Sequence, residues 1–543
     1  GWSLVLSGNR FNAYLVTGKN HKLGVPSNWG NAVPAYKEKY KLNINHTQYI
    51  ERQWYHVASV YDGKFLRLYV DGELVGMRKK TGKIRYHDKL TCIIGAYKGQ
   101  LGEVNIYSKA LKREEMLKSY KQRQKYYPGA QALLEKVSDW PVFMRDNQRS
   151  GISPDRLKTP LRLAWGYKMK LPPNSAWPKP AEKNIWAGRV HKARVVYDRA
   201  NHLISADNKV FFCSSSNDSL NCLDLKTGKQ LWSFFAEAPM RFAPTYDDGK
   251  VYASSDDGHV YCLNAKTGKM LWKYLLGPSA QRLPGNERVI SRWPVRTDAF
   301  LHEGKLRFCA GLFPRQGVYQ AEVEASTGKL LSKGKVGFST QGYVSFLGGK
   351  LHVSTGRVLS GKFISRLARR AKMVGPEVRN IPKDFPYAFI GTANYRIGGG
   401  DGRIALFDRA NGKTVWSAKV NGKAYSLAIA RNSLLVSTDK GYVYCFKPDF
   451  NGKALLNTST PIKITFDKGL ANNAVTIMKT APHHKGYCLI EQSGDGSLAY
   501  HLAKKSDMQI IGLEKNLGLI DKSRRQLNSL GLYGKRVSIH HNI

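Results

Sequence analysis

The segments Leu225–Trp232 (LKTGKQLW) and Ala265–Trp272 (AKTGKMLW) share one pattern, and that pattern decides the fold. Weaker copies lie at 326–332 and 410–416. Their glycines, at positions 228, 268, 328 and 412, are separated by 40, 60 and 84 residues, so the last interval can hold two repeats. A repeat of about 40 residues, with four strands and one glycine turn, is the size of a propeller blade.

Short apolar strands precede each copy, such as 249–255 and 259–263 before the second one. The glycine supplies the positive φ of the turn. The tryptophan five residues after the threonine can bury a large apolar area against the next blade. We therefore predict that Trp232, Trp272 and Trp416 are buried between blades. The cysteines that recur in the strands should be small buried core residues, and they are Cys222, Cys262 and Cys445.

These residues resemble the tryptophan-docking repeats of propellers of the pyrroloquinoline-quinone (PQQ) type, and Trp140–Tyr167 resembles the opening segment of that family. The resemblance implies a mainly β protein with a propeller of about six to eight blades over residues 140–480. PQQ-dependent dehydrogenases of that superfamily use a vicinal disulfide and acidic calcium ligands. This sequence has no Cys-Cys pair, and we expect neither PQQ nor dehydrogenase activity.

Residues 1–118 show short alternating strands separated by turn residues, with Asp62-Gly63 and Asp71-Gly72 at hairpin positions. This region resembles the laminin-G-like, concanavalin A-like jelly roll. The resemblance implies binding of glycans or other proteins, with Trp54 and Tyr69 in the core of the sandwich. Residues 119–139 are expected to form a helical linker.

Residues 481–543 change to a strand-helix-strand pattern, in which a glycine turn at 492–496 joins a strand to a helix and Glu514 ends the second strand. Glycines at such a turn permit close approach of a cofactor, and an acid at the end of the second strand can bind ribose hydroxyls. The pattern predicts a Rossmann-like half-domain.

This segment resembles the opening of class I S-adenosylmethionine-dependent methyltransferases. By that resemblance Gly494 and Gly496 would line the methionine part of the cofactor, and Glu514 would bind its ribose. Gln492 stands where the family has its first loop glycine, and Ile490 stands where an acid is common. The sheet would need further strands after Ile543, so we expect an incomplete site and no bound cofactor, with S-adenosylmethionine as the alternative. We name no catalytic residue and no metal ligand.

The chain carries 86 Lys and Arg against 40 Asp and Glu, a formal charge of +46. Such an excess attracts polyanions, although a solvated basic surface would give the same composition. A basic stretch between 357 and 383 supplies candidate contacts for a polyanion, namely Arg357, Lys362, Arg366, Arg369, Arg370 and Lys372. Motifs of sequence-specific nucleic-acid readers are absent from the sequence, as is any apolar run long enough to span a membrane.

The favoured hypothesis is an extracytoplasmic binding or scaffold protein whose partner is an anionic polysaccharide or an acidic protein. The alternative is a methyltransferase whose β domains recruit the substrate. The order of domains resembles that of large multidomain proteins of planctomycete-type bacteria. Because the sequence opens at Gly1 inside a strand pattern, we expect the natural chain to begin earlier, with any export signal there.

Overall fold

The computed structural model describes residues 2–7, 10–16, 22–26, 56–70, 73–79, 104–124, 139–176, 197–285, 287–347, 350–353, 382–409, 411–481 and 483–542. The chain divides into two compact units, Gly1–Val137 and Ser138–Ile543.

The first unit contains two three-stranded antiparallel sheets and a helix. The hairpin turn at Asp62 forms as predicted, since its carboxylate accepts hydrogen bonds from the N–H groups of Lys64 at 2.9 Å and Phe65 at 2.7 Å. Tyr69 is buried, as expected, whereas Trp54 lies outside the described residues. The elements are β1 (Trp2–Ser7), β2 (Arg10–Val16), β3 (Lys22–Pro26), β4 (Val57–Tyr61), β5 (Phe65–Val70), β6 (Glu73–Lys79) and α1 (Arg113–Gln124).

The helix α1 runs across residue 118, the predicted end of the first domain. Its Met116 is 3% exposed and packs in one cluster with Val60, Tyr69 and Met77 of the second sheet. The first turns of the helix therefore pack against this sheet.

The second unit begins with a propeller in which each complete blade is a four-stranded antiparallel sheet. Blade 1 comprises β8 (Leu203–Ala206), β9 (Lys209–Ser214), β10 (Ser219–Asp224) and β11 (Gln230–Phe235), and blade 2 comprises β12 (Thr245–Asp247), β13 (Lys250–Ser254), β14 (His259–Asn264) and β15 (Met270–Leu275). A hairpin, β16 (Arg282–Gly285) and β17 (Arg288–Ser291), follows blade 2. Blade 3 comprises β18 (Phe300–His302), β19 (Lys305–Ala310), β20 (Val318–Glu324) and β21 (Leu330–Val336).

Later blades continue the pattern. The pair β22 (Ser345–Leu347) and β23 (Lys350–His352) is the described part of blade 4. Blade 5 comprises β24 (Ala388–Gly391), β25 (Tyr395–Gly399), β26 (Asp401–Asp408) and the first half of β27 (Thr414–Ala430). Blade 6 takes the second half of β27, β28 (Ser433–Thr438), β29 (Tyr442–Pro448) and β7 (Leu161–Lys168), and β30 (Leu455–Thr458) pairs in parallel with the outer side of β7. The strand that opens the propeller thus completes its last blade.

Tryptophans join the blades as the repeat predicts. The indole N–H of Trp232 donates to the carbonyl of Ala265 at 3.2 Å, that of Trp272 to Ala325 at 3.2 Å, and that of Trp416 to Leu161 at 2.9 Å. These three side chains are partly buried, whereas Trp165, in the predicted opening segment, is 0% exposed. Cys222, Cys262 and Cys445 are buried as predicted.

Residues 139–158 fill the centre of the propeller by contacting one blade after another. Backbone hydrogen bonds join Trp140 to Ser205 and Pro141 to Tyr246, which lie on the innermost strands of blades 1 and 2. Further along, the segment reaches Leu301 and Phe346 of blades 3 and 4, Gly391 of blade 5 and Asn432 of blade 6. The central channel of the ring is therefore occupied by the chain itself.

The end of the chain forms three parallel strands in the order β31-β32-β33, with helices in the crossovers. The elements are α2 (Leu470–Thr480), β31 (Lys485–Glu491), α3 (Ser497–Lys505), β32 (Asp507–Glu514), α4 (Leu517–Ser529) and β33 (Val537–His541). Ala474 and Met478 of α2 are buried in the core of this segment.

Candidate functional site

The glycine turn at 492–496 forms where it was predicted, between β31 and α3. Gln492 adopts φ 54°, in the left-handed region that favours glycine, so the residue that replaces the family's glycine keeps a glycine-like backbone. Gly494 also has positive φ, and a Cβ added there would meet nothing within 4 Å. There is therefore open space on this side of the turn.

Gly496 lies at a close contact between two helices. A Cβ at this position would lie 2.9 Å from Cβ of Ser523 and 3.3 Å from Leu527, both on α4. The glycine is needed because α4 packs directly against the start of α3. This is the role of the last glycine in dinucleotide-type loops, where it permits close packing of helix and strand.

The carboxylate of Glu514, at the end of β32, accepts hydrogen bonds from backbone N–H groups of the loop and of the residues that follow β32. One oxygen, Oε2, accepts from the N–H of Gly494 at 2.8 Å, and Oε1 accepts from Lys515 at 2.8 Å and Asn516 at 2.9 Å. The Asn516 N–H is the main cause that lowers the pKa of Glu514, which remains ionised. A carboxylate offers about four acceptor positions, so a ribose diol would compete with backbone bonds that already exist.

The sheet beside this loop is open on the side of β31. Tyr487 and Leu489 project from the same face of that strand and are 57% and 58% exposed. Parallel sheets are normally covered on both faces. In this segment Gly494 and Glu514 lie together at the loop, and Gly496 packs against α4.

The C-terminal segment docks on one face of the propeller, which we call the linker face. It carries the links between successive blades, such as 236–244, and the turns in the middle of each blade, such as 215–218. The opposite face, the turn face, carries the Lys-Thr-Gly turns. The basic stretch predicted to bind polyanions follows β23, and its six candidate residues lie outside the described residues.

Glu237, in the link between blades 1 and 2, is the main acceptor of this docking contact. It takes hydrogen bonds from Nη2 of Arg524 at 2.6 Å and from the N–H of His541 at 3.0 Å. Burial alone would raise the pKa of Glu237, but the Arg524 charge and the His540 ring outweigh it and hold the pKa well below its usual value. Tyr533 packs edge-on against Phe235 beside this pair.

A second group of buried charges, which sequence reasoning missed, lies further towards the axis on the same face. Arg241 donates to Asp256 at 2.6 Å and to Asp198 at 3.0 Å, and Arg296 also donates to Asp256. Arg288 donates to Asp218 and to the Gly534 carbonyl of the C-terminal segment. Arg241 and Arg296 lie in links between blades, whereas Asp218 and Asp256 lie in turns in the middle of blades. Because these partners are far apart in the sequence, the repeat period does not predict their pairing. They fix the linker face and the docked segment in place.

Across the described ranges, no group of three or more His, Cys, Asp or Glu side chains is arranged to hold a metal ion. Within the same ranges, no helix is long and apolar enough to cross a membrane.

Comparison with known proteins supports the two larger domains. Residues 5–116 match the model of the concanavalin A-like lectin/glucanases superfamily. Residues 176–361 match the PQQ-repeat model described as outer membrane protein assembly factor BamB. No curated protein matches the chain.

Solved structures with similarity include the quinohemoprotein alcohol dehydrogenase of Comamonas testosteroni, at 11% identity over 63% of this chain and 85% of that one, with a TM-score of 0.35. BamB of Moraxella catarrhalis is 13% identical over 45% of this chain and 81% of that one, with a TM-score of 0.22. Similarity at this level carries no functional argument. From the family models, the chain is a multidomain β protein with a lectin-like domain and a PQQ/BamB-like domain.

Proposed function

We propose that this protein is an extracytoplasmic binding or scaffold protein that engages an anionic polymer or an acidic protein partner. The observation that supports this most strongly is where the charge lies. Among the described residues the buried set contains six arginines and six aspartates, whose charges cancel, and it contains no lysine. The buried charges therefore sum to zero. The part of the +46 excess that belongs to the described residues lies on their surface.

The balance matters because a buried charge contributes little to long-range attraction once it is paired. Arg149 and Asp298, for example, form an ion pair at 2.5 Å with side chains 6% and 1% exposed. Surface charges that are not neutralised in this way create a potential that draws in polyanions and raises association rates. A propeller whose central channel is occupied by its own chain is a rigid disc. Its loops are suited to present surface charges to a polyanion.

The domain composition supports the same proposal. The first domain matches a lectin-like model and the second a BamB-like model, and both kinds of domain are typical of periplasmic or extracellular proteins. These domain matches support the proposal of a periplasmic or extracellular location.

The test is the salt dependence of binding. Fluorescein-labelled dextran sulfate and poly-L-glutamate are titrated with the full chain at increasing NaCl, with neutral dextran as the control. Counterion release and screening predict that affinity falls steeply with salt for one or both polyanions and is undetectable for neutral dextran. Affinity that does not change from low to high salt would contradict the proposal.

The alternative function is a methyltransferase, and the juxtaposition of Gly494 with Glu514 is the observation that favours it. The three occupied acceptor positions of Glu514 and the open β31 side both weigh against cofactor binding by these residues alone. The binding proposal is therefore preferred.

A further inference from the structure

Blade 6 carries a row of cations and tyrosines on the linker face, away from the contacts of the C-terminal segment with blade 1. We call this row the blade 6 stripe, and its members come from the links and strand ends around blades 5, 6 and 1. They are Lys168, Arg199, Tyr387, Lys423, Tyr425, Lys440, Tyr442 and Tyr444.

At its inner end the stripe is a cluster of two cations on two tyrosines. The guanidinium of Arg199 lies 5.8 Å from the ring centre of Tyr425, and its Nη1 donates to the hydroxyl at 3.3 Å. The ring of Tyr387 is 4.8 Å from that of Tyr425, and Nζ of Lys423 lies 5.5 Å from the Tyr387 ring. Both cations are thus held over ring faces.

The outer end repeats this arrangement. Nζ of Lys168 lies 5.1 Å from the ring of Tyr442, which stacks on Tyr444 at 5.6 Å. The hydroxyl of Tyr444 accepts from the N–H of Asn421, two residues from Lys423, and this bond links the two ends. Lys440, which is exposed, lies between them against Gly422.

Among the residues that the structure describes, two acids contact the stripe, and they do not neutralise it. Asp439 accepts the backbone N–H of Lys423 at 2.8 Å, and Asp401 comes only to 4.0 Å from Nζ of the same lysine. Exposed pairs at that distance contribute little. The lysine remains charged, since the Tyr387 hydroxyl raises its pKa.

Cations held over aromatic rings are suited to anion binding. A free lysine or arginine side chain loses about 2 kcal/mol of rotamer entropy when it is fixed. A side chain that already packs against a ring loses less of this entropy when a ligand binds. Binding groups that are ordered before the ligand arrives give a higher affinity for the same contacts. Tyrosine hydroxyls between the cations can also bond to hydroxyl groups, which sugars have and an acidic polypeptide backbone lacks.

From this geometry we propose that the blade 6 stripe is a binding site for a linear sulfated or carboxylated polysaccharide. The anionic groups would pair with Lys168, Arg199, Lys423 and Lys440, and sugar hydroxyls would bond to the tyrosine hydroxyls. This inference rests on the proposed function, because it locates the polyanion contact and chooses between its two ligand classes.

The test compares two variants of the full chain with equal charge change. The stripe variant carries Lys168→Gln, Lys423→Gln and Lys440→Gln. The matched control carries Lys266→Gln, Lys329→Gln and Lys413→Gln, three exposed lysines of the turn face. The affinity for labelled dextran sulfate at about 150 mM salt should fall about tenfold or more in the stripe variant and less than about threefold in the control.

A second variant tests the ordering of the cations without a change of charge. Tyr442→Leu removes the ring under Lys168 and should weaken dextran sulfate binding about threefold while poly-L-glutamate binding changes less. Circular dichroism confirms that each variant is folded.

The outcomes separate this inference from the proposed function. Equal losses in the stripe variant and the control would overturn the stripe as a site and leave a general polyanion-binding surface. Poly-L-glutamate that binds more tightly than dextran sulfate, with the same dependence on the stripe, would overturn the choice of polysaccharide. No salt-sensitive binding by the unmodified chain would overturn both.

Discussion

Glycines with positive φ have different structural roles in the propeller repeats and at Gly494 of the C-terminal segment. In the propeller, a Cβ at Gly268 would lie 2.6 Å from the Trp232 ring, and one at Gly328 would lie 2.7 Å from the Trp272 ring. In the C-terminal loop, Gly496 is closed off by α4, but Gly494 has open space around it. Glycine thus marks a packing contact at Gly268, Gly328 and Gly496 and an accessible position at Gly494. The atoms that a missing Cβ would meet distinguish the two.

The largest effect expected from this comparison is at the blade contacts. Trp165 is 0% exposed, and its indole N–H donates to the carbonyl of Leu225 at 3.0 Å, across the junction that closes the ring. Trp165→Ala should lower the free energy of unfolding by about 3 to 5 kcal/mol. Chemical denaturation measures this, and a loss below about 1 kcal/mol would contradict the docking account.

The contact between the propeller and the C-terminal segment should be almost as sensitive. Glu237→Gln leaves the guanidinium of Arg524 buried without its carboxylate, which should cost about 3 kcal/mol. The pKa of Glu237 is held below its unfolded value, so its contribution is present above that value and is lost as pH falls through the lower folded pKa. Denaturation of both proteins at several pH values is the measurement. The difference in the free energy of unfolding between the unmodified protein and Glu237→Gln should become smaller at low pH. A difference that becomes larger at low pH would show that the direction assigned to the pKa shift of Glu237 is wrong.

Matched glycine substitutions sharpen the comparison itself. Gly268→Ala combines a φ of 72° with a collision against Trp232 and should cost about 3 kcal/mol. Gly494→Ala has only its φ of 58° to accommodate and should cost about 1 kcal/mol. Thermal or chemical unfolding of the two variants gives both values. Equal losses in the free energy of unfolding would show that Gly494 is as closely packed as Gly268.

The smallest expected signal is cofactor binding by this chain. Calorimetry with S-adenosylmethionine should show no measurable binding, because Glu514 is engaged by three backbone N–H groups and the β31 side is open. Glu514→Ala serves as the control. Micromolar binding that disappears in this variant would favour the methyltransferase hypothesis.

Sequence reasoning succeeded where a period or a local turn rule applied. The spacing of the Thr-Gly turns located the blades and the docking tryptophans, and the Asp62 hairpin followed from turn chemistry. The strands and helices of the C-terminal segment also lie close to their predicted positions, because their apolar runs end at Gly and Asn residues.

The rest depends on contacts between residues far apart in the chain. Nothing near Arg241 or Arg296 in the sequence shows that both reach Asp256, and the central segment 139–158 meets six blades that are far apart in the chain. The packing role of Gly496 required the position of α4. The tyrosines of the blade 6 stripe resemble ordinary strand residues in the sequence, and only the ring geometry brings Arg199 to Tyr425.

Lysine footprinting tests the central claim most directly, namely that the basic surface binds a polyanion at a defined place. The full chain is labelled with an amine-reactive reagent, with and without dextran sulfate, and the modified lysines are quantified by mass spectrometry. The account predicts strong protection of Lys168, Lys423 and Lys440, with little change at Lys266, Lys329 and Lys413. Uniform protection of both sets, or protection of the turn-face lysines alone, would contradict it.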